Sequence, residues 1–277
     1  MRRNLIKLAF LFPIFLMVAG CTTRSVVENA HPNFDAAASI FKDRCRLAGE
    51  KIYKTVDDVD GVFVLKVRPE KTDLSDQFEL HDPYGRDFRG DIYVRSFLHG
   101  AYAVENNLPE KLPADFPPHI AYAFADAIDP VDGKRYRYTG KVEEPWLTDK
   151  SYLKGHKRFV FSRSLATGPA PRYGITYDDI STRFEREHWI AGSSLKVIDL
   201  QTNEVIAERI GYLFDSEQGS KIGGRVPWLW AANNSCPSFG SRHAFAAQLD
   251  QTAIFVEKVL RPAFKKIAQM SSAKIAQ

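Results

Sequence analysis

The chain has 277 residues, of which 38 are lysine or arginine and 34 are aspartate or glutamate, giving a formal net charge of +4 at pH 7. Hydrophobic residues make up 44% of the sequence, which is typical of a globular protein and excludes a largely disordered chain. The basic residues form no stripe with interleaved aromatic residues, so the composition gives no support for nucleic-acid binding.

The chain begins with a basic head followed by a short apolar run. Arg2, Arg3 and Lys7 precede Leu8–Ala19, which contains no charged residue. This run is too short to span a bilayer core, which needs about 20 residues. A short apolar run behind a basic head is typical of a signal peptide.

The end of this segment, Val18-Ala19-Gly20-Cys21, resembles the lipobox of bacterial lipoproteins, in which an aliphatic and two small residues precede an acylated cysteine. The resemblance covers only the first 21 residues. It implies that residues 1–20 are a signal peptide that is removed and that Cys21 carries acyl chains, which together anchor the protein firmly. In Gram-negative lipoproteins an aspartate directly after the acylated cysteine implies retention at the inner membrane. Here Thr22 holds that position, which implies sorting to the outer membrane, facing the periplasm. The alternative is an ordinary signal peptide with an incidental cysteine.

Such processing would change both the charge and the number of free cysteines. Residues 1–20 hold three basic residues and no acidic one, so 35 basic residues would remain against 34 acidic. With Cys21 lipidated, Cys45 and Cys236 are left, and an oxidising compartment favours a disulfide between them. Closing a loop of about 190 residues would stabilise the fold by up to about 5 kcal/mol. Two buried free thiols are the alternative.

The chain after the signal peptide is predicted to form a tether, one domain and a tail. We expect residues 21–33 to be the lipidated tether and residues 271–277 to be a frayed tail. Residues 34–270 are expected to form a single α+β globular domain, because the disulfide would join segments near its two ends.

The N-terminal part of the domain is predicted to mix a helix with strands. Apolar or small residues spaced three or four apart in Phe34–Ile52 predict a helix with Cys45 on its inner face. A buried strand is predicted at Val62–Val67 and a short strand at Ile92–Phe97. The polar segment 69–91 between them is predicted to be an exposed loop.

From about residue 119 the pattern predicts successive strands. Ile120–Ile128 and Lys134–Val142 flank a turn and predict a hairpin. Further strands are predicted at residues 158–165, 173–183, 184–200 and 205–214. A final helix is predicted from about Arg242, with Pro262 kinking or ending it. The expected fold class is α+β: an antiparallel meander sheet of about six to seven strands, packed on one side by the N- and C-terminal helices.

Candidate catalytic and metal-binding residues are few. The sequence contains no Gly-x-Ser-x-Gly motif, although Gly192-Ser193-Ser194 lies near His188 and Asp199. A catalytic triad is recognised by geometry and not by proximity in sequence. No pair among the seven histidines has the i, i+4 spacing of a zinc helix, so no metal or other cofactor is predicted. The Asp57–Gly61 run lacks the acidic spacing of a calcium loop and is interpreted as a solvated turn.

Two segments are candidate binding surfaces. The long polar loop could present Tyr84, Arg86 and Arg89 to a partner, because arginine and tyrosine are favoured contact residues. The alternative is a loop held together by its own ion pairs. Trp228 and Trp230 are either core residues beside the disulfide or, if exposed, a surface for ligand stacking or protein binding.

The sequence is compatible with three functions. The first is a membrane-tethered periplasmic lipoprotein with a non-catalytic domain that binds an envelope or secreted protein, as an envelope accessory or toxin-immunity protein does. The second is a hydrolase with a sequence-dispersed Ser/His/acid site built on Ser193 and His188. The third is a carrier of a lipid or other apolar ligand, which requires a continuous apolar cavity.

Overall fold

The computed structural model of the chain describes residues 33–78, 82, 89–105, 121–143, 158–238 and 244–263. In these ranges the fold is α+β, as predicted. The helices are α1 (Phe34–Cys45), α2 (Gly90–Glu105), α3 (Arg183–Glu187), α4 (Pro227–Trp230) and α5 (Ala244–Val259). The strands are β1 (Gly49–Ile52), β2 (Val56–Val59), β3 (Gly61–Val64), β4 (Phe124–Ile128), β5 (Arg135–Glu143), β6 (Arg158–Leu165), β7 (Tyr173–Asp179), β8 (Ile190–Asp199), β9 (Glu204–Phe214), β10 (Ser235–Cys236) and β11 (Leu260–Pro262). The lipobox, the tether before residue 33 and the predicted tail lie outside the described residues.

The main sheet has nine strands, more than the six to seven expected. Its order is β1-β9-β8-β7-β3-β4-β5-β6, with β10 beside β9. Two antiparallel meanders, β4–β5–β6 and β7–β8–β9, lie on either side of β3, which pairs parallel with both β4 and β7. The sheet is therefore mostly antiparallel, and one short parallel strand lies at its centre.

Several predicted strands are present with nearly the predicted bounds. β4 and β5 form the predicted hairpin, and the Asp129 carboxylate accepts a hydrogen bond from the Val131 amide at 2.7 Å in its turn. The observed β6 and β9 match the predicted strands to within one residue. The strand β5 was predictable because its apolar and polar residues alternate, as in a half-exposed strand.

The prediction of a solvated turn at Asp57–Gly61 is wrong. This run forms most of β2 and the start of β3. β2 pairs parallel with β11 in a separate two-stranded sheet, with Val56 opposite Leu260 and Val59 opposite Pro262. The helix α5 ends at Val259, just before Pro262, as expected for a proline that cannot continue a helix.

The prediction of a strand at Ile92–Phe97 is wrong, because these residues belong to α2. Tyr93, Val94, Phe97 and Leu98 are all buried, and their spacing is that of one helical face. A six-residue window of aromatic and β-branched residues is typical of a strand. The helical period becomes visible only over the 16 residues of the whole helix.

The two long strands predicted over residues 173–200 are interrupted by α3. The Thr182 side chain accepts a hydrogen bond from the Glu185 amide at 3.2 Å, and the Glu185 carboxylate accepts one from the Thr182 amide at 2.6 Å. This reciprocal capping box starts the helix. Trp189 then adopts a positive φ of 54°, and β8 begins at Ile190.

The helix α1 is shorter than predicted and carries the predicted disulfide. It ends at Cys45, and the chain turns into β1 at Gly49, whose φ of 142° suits glycine. Cys45 is bonded to Cys236, with Cα atoms 5.4 Å apart. Because Cys236 lies in β10 opposite Tyr212 of β9, the bond ties α1 to the sheet.

The helices α1 and α5 pack on opposite faces of the sheet, and not on one face as expected. The Phe41 ring of α1 lies 5.4 Å from the ring of Phe214 in β9. From the same strand, Arg209 donates to the Thr252 hydroxyl of α5 at 3.5 Å and lies 5.7 Å from the Phe255 ring. Successive side chains of a strand point to opposite faces, so positions 209 and 214 face opposite ways. The sheet is therefore covered on both sides at β9.

Candidate functional site

The connection between β9 and β10 lines a cavity of about 630 Å³ that is open to solvent. We call this cavity the 216–234 pocket. Its side chains supply two hydroxyls, one carboxylate, one guanidinium, one indole and two amides. They belong to Ser216, Ser220, Glu217, Arg225, Trp230, Asn233 and Asn234. Ile222 also lines the pocket, so the lining mixes these polar groups with the apolar surfaces of Trp230 and Ile222, which differs from the continuous apolar cavity that a lipid carrier requires.

Buried Asp215 organises the base of the pocket. Its carboxylate accepts hydrogen bonds from the amides of Gly219 at 2.8 Å and Glu217 at 3.3 Å. It also accepts from both terminal nitrogens of Arg225, one of them at 3.0 Å, and the same guanidinium donates to the carbonyl oxygen of Ser220 at 3.2 Å. A buried carboxylate persists when its charge and lone pairs are satisfied in this way. Asp215 therefore fixes the loop and compensates the charge of Arg225.

Two tryptophan rings support the loop from beneath. Gly219, with a φ of 80°, lies directly against the Trp189 ring, which leaves no room for a Cβ. The Trp189 ring lies 5.4 Å from that of Trp228. Trp228 is fully buried, and its indole N–H donates to the carbonyl oxygen of Asp76 at 2.7 Å. Trp228 is therefore a core residue and cannot contact a partner, which decides between the two predicted alternatives.

The opposite wall of the pocket is attached to the sheet. The carbonyl oxygen of Asn234 accepts a hydrogen bond from the Phe214 amide at 3.0 Å, and its side-chain amide donates to the Ser216 hydroxyl at 3.3 Å. The next two residues form β10, which carries Cys236 and its disulfide. Strand pairing and a covalent bond thus hold this wall in place.

Trp230 lies at the rim of the pocket and is 46% exposed. It follows Pro227 and Trp228, which are buried, at the end of the four-residue α4. The two tryptophans that the sequence placed together therefore have different environments. Of these two tryptophans, Trp230 is the one that remains a candidate binding residue.

A second exposed surface, which we call the aromatic patch, consists of Phe78, Arg183, Phe184 and His188. The Arg183 guanidinium lies 4.7 Å from the centre of the Phe78 ring, and the Phe184 ring lies 4.5 Å from that of His188. Phe78 is 43% exposed and Phe184 is 55% exposed. Large exposed aromatic side chains beside an arginine are typical of protein-binding surfaces.

The aromatic patch rests on a firmly held α3. Glu185 is buried and bonded to Arg44 of α1, and this hydrogen bond raises the pKa of Arg44 above its usual value. Arg186 is buried and donates to the Asp179 carboxylate at 2.7 Å, while its carbonyl oxygen accepts from the Gln77 side chain at 2.7 Å. The same contacts link residues 77–78 to α3, so both sides of the patch are fixed together.

The structure does not assemble a triad from Ser193, His188 and Asp199. Ser193 is buried within β8. Asp199 lies six residues along the same strand, about 20 Å away, and is bonded to Arg172. His188 lies at the end of α3, where its Nδ1 donates to the carbonyl oxygen of Phe184 at 2.8 Å. No hydrogen bond joins the three candidate side chains in the part of the chain that the structure describes.

The long loop is only partly described, and its described part is not fully exposed. Tyr84 and Arg86 lie outside the described residues. Arg89 is half-buried, and its carbonyl oxygen accepts a backbone hydrogen bond from α2 at 3.1 Å. Asp82 is buried and accepts a hydrogen bond from Arg68 at 3.0 Å, so an ion pair to a residue just before the loop holds this position.

Burial perturbs one histidine elsewhere in the fold. His99 of α2 packs edge-on against Phe161 of β6, with ring centres 4.6 Å apart. Burial disfavours the charged imidazolium and lowers the pKa of His99 from 6.5 to about 4. This histidine is therefore neutral throughout the physiological range.

Neither a metal site nor a membrane span is found among the described residues. No group of three or more histidine, cysteine, aspartate or glutamate side chains is placed to hold a metal ion in these ranges. No described helix combines the length and apolar character needed to cross a membrane.

No family model, curated protein or solved structure matches this chain.

Proposed function

We propose that this chain is a lipoprotein tethered by lipidated Cys21 to the outer membrane, facing the periplasm, and that its domain binds another protein without catalysis. The partner would be an envelope or secreted protein, as for envelope accessory and toxin-immunity lipoproteins. The aromatic patch is the observation that supports protein binding, and the Val18–Cys21 lipobox is the one that supports the tether. It is an exposed surface of the residue types that dominate binding energies.

The chemistry of the aromatic patch suits a protein partner. Phe184 offers an apolar ring that loses contact with water on docking, and Arg183 offers a planar cation beside it. Such anchors contribute most when they enter a pocket that excludes water. Since Glu185 and Arg186 already hold α3 in place, little backbone entropy is lost on binding.

The arrangement of the other candidate residues supports binding over the alternatives. Asp199 lies about 20 Å along β8 from Ser193, too far for a shared catalytic site. The face of the sheet beneath α5 is filled by packed side chains, including Leu195, Val197 and Phe255. No observation favours the hydrolase or the lipid carrier.

Site-specific photo-crosslinking tests the proposal in the intact envelope. A photoreactive amino acid would replace Phe184 in the full-length chain, and a matched variant would carry it at Leu165. Leu165 is 54% exposed but lies at the end of β6, away from the patch. We expect a discrete protein adduct at position 184 and none at position 165. Equal labelling of both positions, or no adduct at position 184, would contradict the proposal.

The crosslinked partner, once purified, allows a quantitative test. We expect Arg183→Ala and Phe184→Ala each to raise Kd at least tenfold, which corresponds to about 1.4 kcal/mol. Leu165→Ala should leave Kd unchanged. Thermal unfolding of each variant checks that the fold is intact. Unchanged Kd values for both patch variants would remove the patch as the binding surface.

A Ser193 variant distinguishes the hydrolase hypothesis from the protein-binding hypothesis. Ser193→Ala should leave partner binding and any esterase activity of the purified chain unchanged, because the side chain is buried and distant from Asp199. A hydrolytic activity that disappears in this variant would favour the hydrolase instead.

A further inference from the structure

The geometry points to a second site: the 216–234 pocket binds a neutral oligosaccharide. The volume of about 630 Å³ lies within the range of small-molecule sites, about 300–1,000 Å³. The inference does not rest on protein binding at the aromatic patch, because different residues form the two surfaces.

The charges in the pocket disfavour an anionic occupant. Arg225 is the pocket's cation, and Asp215 compensates it through two hydrogen bonds. An anionic ligand would have to compete with this buried carboxylate for the guanidinium. Glu217 adds a single carboxylate, which can accept hydrogen bonds from hydroxyl groups.

The hydrogen-bonding groups match those of a sugar ring. The Asn233 amide offers donors and an acceptor. The Asn234 amide and the Ser216 hydroxyl bond to each other and keep further hydrogen-bonding capacity, and the Ser220 hydroxyl, which accepts from the Ile222 amide at 3.4 Å, can still donate. Sugar hydroxyls also donate and accept, and they come in closely spaced sets. A ligand that lacked such groups would leave these polar atoms without partners as it displaced water.

Trp230 supplies the remaining feature of a saccharide site. Its partly exposed indole at the rim offers a broad apolar face beside polar groups. The C–H face of a pyranose can lie on such a ring while its hydroxyls bond to neighbouring amides. Because Asp215 and the β10 wall hold the pocket in shape, a sugar would bind without first ordering the loop.

Titration of the purified full-length chain with sugars tests the inference. The probes are cellotetraose and chitotetraose, in a detergent without a sugar headgroup, and binding is followed by calorimetry. We expect saturable binding of at least one probe below about 10 mM. A preference between them would show whether an acetamido group is part of the recognised chemistry. Saturable binding of neither probe would overturn the inference.

Three variants place the binding in the pocket. Trp230→Ala should weaken sugar binding at least tenfold, and Asn233→Ala should weaken it about threefold or more, since one stacking or hydrogen-bonding contact is lost. Trp230→Phe, which keeps an aromatic face, should retain most of the affinity. Phe184→Ala changes only the aromatic patch and should leave sugar binding unchanged. Equal affinity in the wild type, Trp230→Ala and Asn233→Ala would also overturn the inference, provided that thermal unfolding shows all three folded.

Discussion

The two antiparallel halves of the sheet use charged residues differently. In the half formed by β7, β8 and β9, buried carboxylates fix irregular segments to the sheet: Asp215 holds the loop of the pocket and Glu185 holds α3 against α1. In the half formed by β4, β5 and β6, arginines lie across aromatic rings of neighbouring strands. The Arg163 guanidinium lies 3.8 Å from the centre of the Tyr136 ring and also pairs with Asp129.

This difference explains why both candidate surfaces adjoin the first half. An irregular segment forms a concave or protruding surface only if something holds it, and a buried, fully bonded carboxylate provides that hold. Charges that bridge adjacent strands reinforce a regular face without forming a cavity. We therefore expect substitutions in the first half to affect both stability and binding, and substitutions in the second half to affect stability alone.

The largest expected effect comes from removing the disulfide that ties α1 to the first half. The double variant Cys45→Ser/Cys236→Ser should lower the free energy of unfolding by up to about 5 kcal/mol, because the bond closes most of the chain into one loop. Urea unfolding measures the loss. The wild type in reductant should reach the same stability, and equal stability of the wild type with and without reductant would contradict the prediction.

Asp215→Asn and Asp126→Asn form a matched pair that tests the comparison directly. Both carboxylates are fully buried, and Asp126 accepts hydrogen bonds from Arg137 of the neighbouring strand at 2.7 and 2.9 Å. Each variant should lose about 2–3 kcal/mol of stability, because an arginine loses its charged partner. Only Asp215→Asn should also lose sugar binding, measured by calorimetry. Equal losses of binding would show that the two halves do not differ in this way.

Two glycines with positive φ provide a finer test. Gly219 has a φ of 80° against the Trp189 ring, whereas Gly133 in the hairpin of the second half has a φ of 69° with open space around it. Gly133→Ala should cost about 1 kcal/mol, from backbone strain alone. Gly219→Ala should cost about 2–3 kcal/mol, because the ring must also move. Equal shifts in the urea midpoint for the two variants would mean that the loop around Gly219 accommodates the added methyl group at no extra cost.

The second half also has an expected pH dependence. The pKa of His99 is about 4 in the fold and 6.5 when exposed, so the unfolded chain takes up the proton first as pH falls. The contribution of His99 to stability is therefore lost between about pH 6.5 and pH 4. Amide protection in β6, measured against the intrinsic exchange rate at each pH, should fall over this range, because β6 contacts His99 through Phe161. His99→Gln should remove the difference, and an NMR titration midpoint near 6.5 would contradict it.

The fold was predictable from sequence where one residue pattern filled a whole element. The strand β5 alternates along much of its length, and the even number of cysteines that the predicted lipidation of Cys21 would leave pointed to the disulfide. The helix α2 was missed because the window at Ile92–Phe97 was too short to show a helical period. The helix α3 was missed although Thr182 and Glu185 have the spacing of a capping box.

The candidate site was less predictable because its parts are scattered. The segment rich in glycine and tryptophan drew attention, but nothing local distinguishes exposed Trp230 from buried Trp228. That difference depends on Asp76 and Trp189, which lie far away in sequence and reach Trp228 only in the folded sheet. The aromatic patch likewise combines Phe78 with α3, and no period in the sequence links them.

The short central strand β3 has a consequence for how the two halves work together. Among the described strands it alone pairs with both meanders, through four residue pairs with β4 and only two with β7. Its buried Val62 and Val64 join side chains of both halves in one apolar cluster. The halves are therefore coupled more by hydrophobic contact than by backbone hydrogen bonds. Hydrophobic contact weakens on cooling, so the contact between β3 and the two meanders is the part of the sheet that should loosen first in the cold.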